Sequence, residues 1–240
     1  MATFVLVPGA WLGGWLWQRL TPLLRQGRHT AYPLTLTGLG DRSHLLSPEI
    51  DLDTHINDVL NLLVYEDVRD AILVGHSYSG MVITGVAERV PERIRRLVYL
   101  DALAPVDGES FADLRPGTPW PSGKEAAGMP VPFPVEETRD SIPDLKEEDA
   151  AWFHERMTPH PVHTREHPVR FENPAALAIP RTYVFCRDNW DWVNQDNPLP
   201  HDIARARTDP GWDFREMDGY HVPMVTRSGE LADLLLSLLQ

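Results

Sequence analysis

Ser77 lies in the run Ala71-Ile72-Leu73-Val74-Gly75-His76-Ser77-Tyr78-Ser79-Gly80, where an apolar strand-like stretch ends in Gly-x-Ser and passes directly into the helix-compatible Met81-Val82-Ile83-Thr84-Gly85-Val86-Ala87. A strand that turns sharply into a helix lifts the serine hydroxyl clear of the sheet. The helix start behind it supplies unpaired backbone N–H groups and the positive end of a dipole. Both features favour attack on a carbonyl carbon. Gly75, Ser79 and Gly80 are small enough to let strand and helix backbones approach. The pattern departs from Gly-x-Ser-x-Gly by one step, because Ser79 precedes Gly80.

A serine hydroxyl is a weak nucleophile until a base takes its proton, and the base itself needs an orienting partner. Of ten histidines, His221 in Asp218-Gly219-Tyr220-His221-Val222-Pro223 is best placed, following the last predicted strand and preceding the terminal helix. Serine first and histidine last is the chain order of a strand-turn-helix nucleophile site. The developing oxyanion needs two N–H donors. Tyr78 N–H is one candidate. Ala10 N–H, from the loop Pro8-Gly9-Ala10-Trp11-Leu12-Gly13-Gly14-Trp15, is the other. That loop does not suit a dinucleotide, since Trp11 stands where Gly-x-Gly requires its second glycine.

The elements that must hold these residues alternate between short β-rich runs and helical patterns, which predicts an α/β fold around a mostly parallel central sheet flanked by helices. Strands are expected over Phe4–Val7, Thr30–Leu34, the run before Ser77, Ile94–Leu100, Thr182–Cys186 and Trp212–Met217. Helices are expected over Trp15–Leu24, from near Asp53, after Ser77, over Asp144–Met157, around His201–Arg207 and over Ser228–Leu239. Six prolines between Arg115 and Pro134 rule out a sheet core or long helix there. Residues 102–179 are therefore read as a lid between two late strands, and residues 1–101 and 180–240 as the core. Asp144 and Glu147 have the spacing of a helix cap pair, and the acidic run Glu136 to Asp149 reads as a solvated face.

A chain of 240 residues, 42% hydrophobic and 24% charged, can bury one sizeable core. A net charge of -13 repels nucleic acid and anionic membrane surfaces, leaving a neutral small molecule as the expected partner. Cys186 is the only cysteine, which excludes an intrachain disulfide and suits a reducing compartment. The amino end lacks a basic leader and reads as a first strand, and no apolar run approaches the roughly 20 residues that span a bilayer. A cytoplasmic protein without cofactor is expected. His154, His160, His163 and His167 are interrupted by Pro159, Pro161 and Pro168, so they read as surface histidines rather than metal ligands.

Taken together, Val7-Pro8-Gly9-Ala10-Trp11, Thr37-Gly38-Leu39-Gly40-Asp41-Arg42-Ser43, the Ser77 run, Leu97-Val98-Tyr99-Leu100-Asp101 and Gly219-Tyr220-His221 resemble the α/β-hydrolase superfamily. Within it, the likeness is to small bacterial esterases related to plant methyl esterases and hydroxynitrile lyases. The resemblance covers nearly the whole chain. It implies an esterase-like activity in a pocket beneath a lid.

It also implies an acid for the triad, but counting from Cys186 to the usual family position reaches Asn189, an amide that cannot stabilise an imidazolium. Asp101, directly after the strand that follows the nucleophile strand in sequence, is the preferred alternative. Asp188 and Asp191 stay open. Two departures count against the lyase branch, where a lysine follows the histidine and a threonine stands in the oxyanion loop: here these are Val222 and Gly9. The expectation is a serine hydrolase acting on a small, neutral, apolar or aromatic ester through an acyl-enzyme. A lactonase, a C–C bond hydrolase and a slow-turnover ligand receptor are the alternatives. Trp11, Trp120, Trp152 and Phe153 are the expected substrate-binding residues.

Overall fold

A computed structural model describes residues 1–116, 130–132, 142–190 and 198–239. Its centre is a six-stranded sheet in the order β2-β1-β3-β4-β5-β6. The strands are β1 (Thr3–Val7), β2 (Thr30–Pro33), β3 (Ala71–His76), β4 (Ile94–Leu100), β5 (Arg181–Cys186) and β6 (Trp212–Met217). Every neighbouring pair is parallel.

Alternate residues along each strand enter opposite core layers, as a pleated strand requires. Val5, Leu73, Leu97 and Tyr183 face one layer, closed by Ile56, Val59 and Leu63 of α2 (Leu52–Tyr65) and Met81, Val82 and Val86 of α3 (Ser79–Arg89). Phe4, Leu6, Val74, Val98 and Val184 face the other. That layer is closed by Leu20 and Leu24 of α1 (Leu20–Gln26) and by Leu231 and Leu235 of the final helix. β3 is buried along its whole length, which explains its uninterrupted apolar sequence.

Residues 101–180, between β4 and β5, carry three described α-helices, α4 (Phe111–Leu114), α5 (Glu147–His154) and α6 (Pro174–Leu177). After β5 come α7 (His201–Thr208), α8 (Pro223–Thr226) and α9 (Ser228–Ser237).

Several boundaries differ from the sequence reading for local reasons. The helix expected over Trp15–Leu24 is divided into a 3₁₀ turn at Gly14–Trp17 and α1. Pro22 has no N–H and fits only the first turn of an α-helix, so α1 starts just before it. α5 begins at Glu147 with Lys146 before it and no side-chain cap, so Asp144 does not cap it. Asp149, read as part of a solvated face, is buried, because its carboxylate is paired with Arg19 at the start of α1.

Candidate active site

The register of the sheet brings distant segments to one edge. Val7 is paired with Gly75, His76 with Leu100, Leu100 with Val184, and Cys186 with Met217. The loops carrying Ala10, Ser77, Asp101, Asn189 and His221 therefore all leave the carboxyl ends of neighbouring strands, where ligands bind in open α/β sheets.

Ser77 occupies the sharp turn between β3 and α3. Its φ is 55°, a left-handed conformation that bulky residues avoid. The turn is held by hydrogen bonds from Ser77 N–H to the Leu100 carbonyl (3.2 Å) and from Leu103 N–H to the Ser77 carbonyl (3.0 Å). A Cβ on Gly75 would come within 2.6 Å of the Ser79 carbonyl oxygen, and one on Gly80 would overlap the Leu103 carbonyl. The delayed glycine thus has a packing role of its own. Ser79 fills the position before it without clash and donates its hydroxyl proton to the Pro8 carbonyl, tying the elbow to the loop after β1.

Asp101 and Trp11 are also left-handed, with φ of 44° and 64°. Each such residue costs on the order of 1–3 kcal/mol, which the surrounding contacts must offset. At Asp101 those contacts are plain. Its side chain is fully buried, and Oδ2 accepts from His221 Nδ1 at 2.6 Å and from Asn189 Nδ2 at 2.8 Å. Oδ1 accepts from the Trp190 indole N–H at 2.8 Å. An acceptor-only carboxylate facing Nδ1 places the imidazole proton there and leaves Nε2 as the acceptor. Asn189, the amide at the position where the resemblance places an acid, is a donor to Asp101. Asp188 instead stitches the loop below His221: Oδ2 accepts from Gly219 N–H at 2.9 Å. Asp191 lies outside the described residues.

His76, which precedes the serine, donates from Nε2 to the His221 carbonyl at 2.7 Å, with the two rings 4.6 Å apart. Burial, reinforced by the nearby His221, holds its pKa well below the usual histidine range. It is a neutral prop under the histidine loop, and nothing in the sequence beyond its place before Ser77 marks it.

The backbone N–H groups of Ala10 and Tyr78 donate to no protein acceptor among the described residues. Ala10, Ser77, Asp101 and His221 line one cavity of about 310 Å³, whose other walls include Leu12, Leu103, Phe111, Ile142 and Met157. Trp11 and Phe153 line it too. Trp152 does not: it packs edge-on against Trp15, centroids 5.0 Å apart, with Arg19 and Arg156 over its ring. Trp120 lies outside the described residues.

A further expectation is overturned. His160, read as a surface histidine, is completely buried. Trp11 N–H donates to its Nδ1 at 3.1 Å, and its Nε2 meets the Thr164 hydroxyl at 3.0 Å. His55 of α2 lies behind it, between the Tyr78 hydroxyl (3.0 Å) and the Thr37 carbonyl (2.9 Å). Prolines on both sides of His160 interrupt any periodicity that would have marked it as internal. Among the described residues there is no cluster of three or more His, Cys, Asp or Glu placed to hold a metal, and no helix long and apolar enough to cross a membrane.

A parallel sheet with a strained serine at a strand-to-helix turn, and a carboxylate-paired histidine at the same edge, defines a hydrolase-type α/β protein. The alpha/beta hydrolase family profile matches residues 4–234, and the chain belongs to that family. A carbendazim hydrolyzing esterase of Nocardioides sp. is 37% identical over 99% of this chain and 100% of its own length. Methylesterase 1 of Arabidopsis thaliana is 24% identical over 98% of this chain and 95% of its own. Among solved structures, an extracellular alpha/beta-hydrolase from a Paenibacillus species matches with a TM-score of 0.80 at 24% identity, covering 99% of this chain and 98% of that one.

Proposed function

We propose that this protein is a serine esterase that cleaves a small, neutral, apolar or aromatic carboxylic ester through an acyl-enzyme. The observation that supports this reading most is the 2.6 Å contact between His221 Nδ1 and a fully buried Asp101, in a cavity that Ser77 also lines. In this reading His221 Nε2 takes the Ser77 proton as Oγ attacks the ester carbonyl. The oxyanion accepts from the Ala10 and Tyr78 N–H groups. His221 then returns the proton to the leaving alkoxide, which departs as the alcohol. Water attacks the acyl group with His221 again as base, and the carboxylic acid leaves Ser77 free. Asp101 holds the imidazole tautomer and stabilises the imidazolium.

Residues 102–179 act as the cap, contributing Leu103, Phe111, Ile142, Phe153 and Met157 to the cavity wall. These side chains favour an apolar or aromatic group. The relatives named as esterases support ester cleavage, and the one named for carbendazim puts that planar aromatic carbamate among the first compounds to test. Val222 after the histidine and Gly9 in the oxyanion loop speak against cyanohydrin cleavage. A panel of methyl esters, aryl esters, lactones and carbendazim decides the substrate class. Release of alcohol from the aryl or methyl esters, with little turnover of lactones, is expected. Ligand binding without turnover of any of them would favour a receptor.

A further inference from the structure

We infer that His160, a residue of the cap segment, is a positioning residue that sets the oxyanion hole. Every hydrogen-bonding group of Trp11, the residue next to Ala10, is engaged by that segment. Its N–H donates to His160 Nδ1 (3.1 Å), its carbonyl accepts from Thr158 N–H (3.1 Å), and its indole N–H donates to the Val131 carbonyl (3.0 Å). Val131 and His160 are in turn locked together by two reciprocal backbone bonds of 2.8 Å. Trp11 has φ of 64°, which a tryptophan does not hold without outside support. Trp11 N–H lies in the Ala10–Trp11 peptide plane, so fixing it restrains the backbone of Ala10, whose own N–H is the proposed donor.

The imidazole is fitted for the task. Its Nε2–H is directed at the Thr164 hydroxyl (3.0 Å), whose own proton goes to the Pro161 carbonyl (2.8 Å), so Nδ1 is left as the acceptor. Burial disfavours the imidazolium, which would have no lone pair for Trp11. The same ring meets Tyr78 edge-on, with centroids 5.0 Å apart. His160 therefore touches Tyr78, the proposed second oxyanion donor, while fixing the neighbour of the first. The catalytic serine and histidine come from the core, but the oxyanion pocket is completed by the cap.

The inference rests on the serine-esterase reading above, and the experiment separates the two. Steady-state hydrolysis of p-nitrophenyl acetate and inhibition by trifluoroacetophenone, whose hemiketal with Ser77 carries an oxyanion, are measured for His160→Leu, His160→Asn and His160→Gln. An asparagine Oδ1 can occupy the place of Nδ1, whereas a glutamine reaches only toward Nε2. His160→Leu and His160→Gln are expected to lose about 10- to 100-fold in kcat with KM within about threefold, since a displaced donor forfeits much of what deleting one costs. Trifluoroacetophenone should weaken in parallel with kcat. His160→Asn should stay within about threefold of wild type, a rescue that a space-filling role would not produce.

Should His160→Leu fail to fold, the asparagine and glutamine variants decide alone. Equal activity in the two, or inhibitor affinity unmoved while kcat falls, overturns the inference. Retained activity in Ser77→Ala would instead overturn the esterase reading itself.

Discussion

Asp101 accepts three hydrogen bonds, from His221, Asn189 and Trp190, and an amide at this position has only one oxygen to offer them. Asp101→Asn should therefore turn the imidazole toward the wrong tautomer and lower kcat by about 10⁴, the loss seen for the equivalent change in serine proteases. Asp188→Asn should leave kcat within about tenfold of wild type, because its carboxylate serves the Gly219 N–H and not the imidazole. Steady-state kinetics on one ester measures both, and a larger loss at Asp188 than at Asp101 would reverse the assignment. Ser77 and His221 are proposed from the sequence because a motif and a chain order single them out. For the acid the sequence prefers Asp101 but leaves Asp188 and Asp191 open, because counting along a loop does not tell which aspartate turns inward. What distinguishes Asp101 is its left-handed backbone and its burial, which only the three-dimensional arrangement contains.

At the scale of elements, the alternation of strands and helices was readable because strands buried on both faces are near-continuous apolar runs and the helices carry an apolar stripe. The packing of the segment between β4 and β5 against the rest of the chain was not readable, since it depends on single polar pairs between distant residues, such as Arg19 with Asp149. Buried histidines do similar work between elements: His55 joins α2 to the start of α3, His76 joins β3 to the loop after β6, and His160 joins the segment between β4 and β5 to the loop after β1. Burial pushes all three pKa values down, that of His55 to about 4. The native state thus stays neutral where the unfolded chain, with histidine near 6.5, takes up protons. Stability is full above that pH and falls as the pH drops toward the folded values. For His55 alone, the difference between 6.5 and about 4 corresponds to about 3 kcal/mol. Denaturant unfolding at about pH 7 and about pH 4.5 should show a clear drop in midpoint with uptake of more than one proton. Equal stability at the two pH values would mean that these rings are solvated or already charged.

For the whole molecule, strong negative charge and a small, largely apolar cavity at the sheet edge fit one another. A protein of net charge -13 repels anions at long range, whereas the neutral ester proposed as substrate would reach such a pocket without electrostatic guidance. The left-handed residues Trp11, Ser77 and Asp101 belong to three separate loops and all line that cavity, while Arg28, Asp67 and Asp70 hold the same conformation in turns away from it. The proposed chemistry depends first on Ser77 being an activated nucleophile. Intact-mass and peptide-mapping spectrometry after brief exposure to a fluorophosphonate tests that directly. The expected result is one phosphonyl adduct per wild-type chain, mapped to Ser77 with fluoride released, absent from Ser77→Ala and slowed in Asp101→Asn. Wild-type protein that hydrolyses p-nitrophenyl acetate yet stays unlabelled, or that is labelled equally in Ser77→Ala, would contradict it.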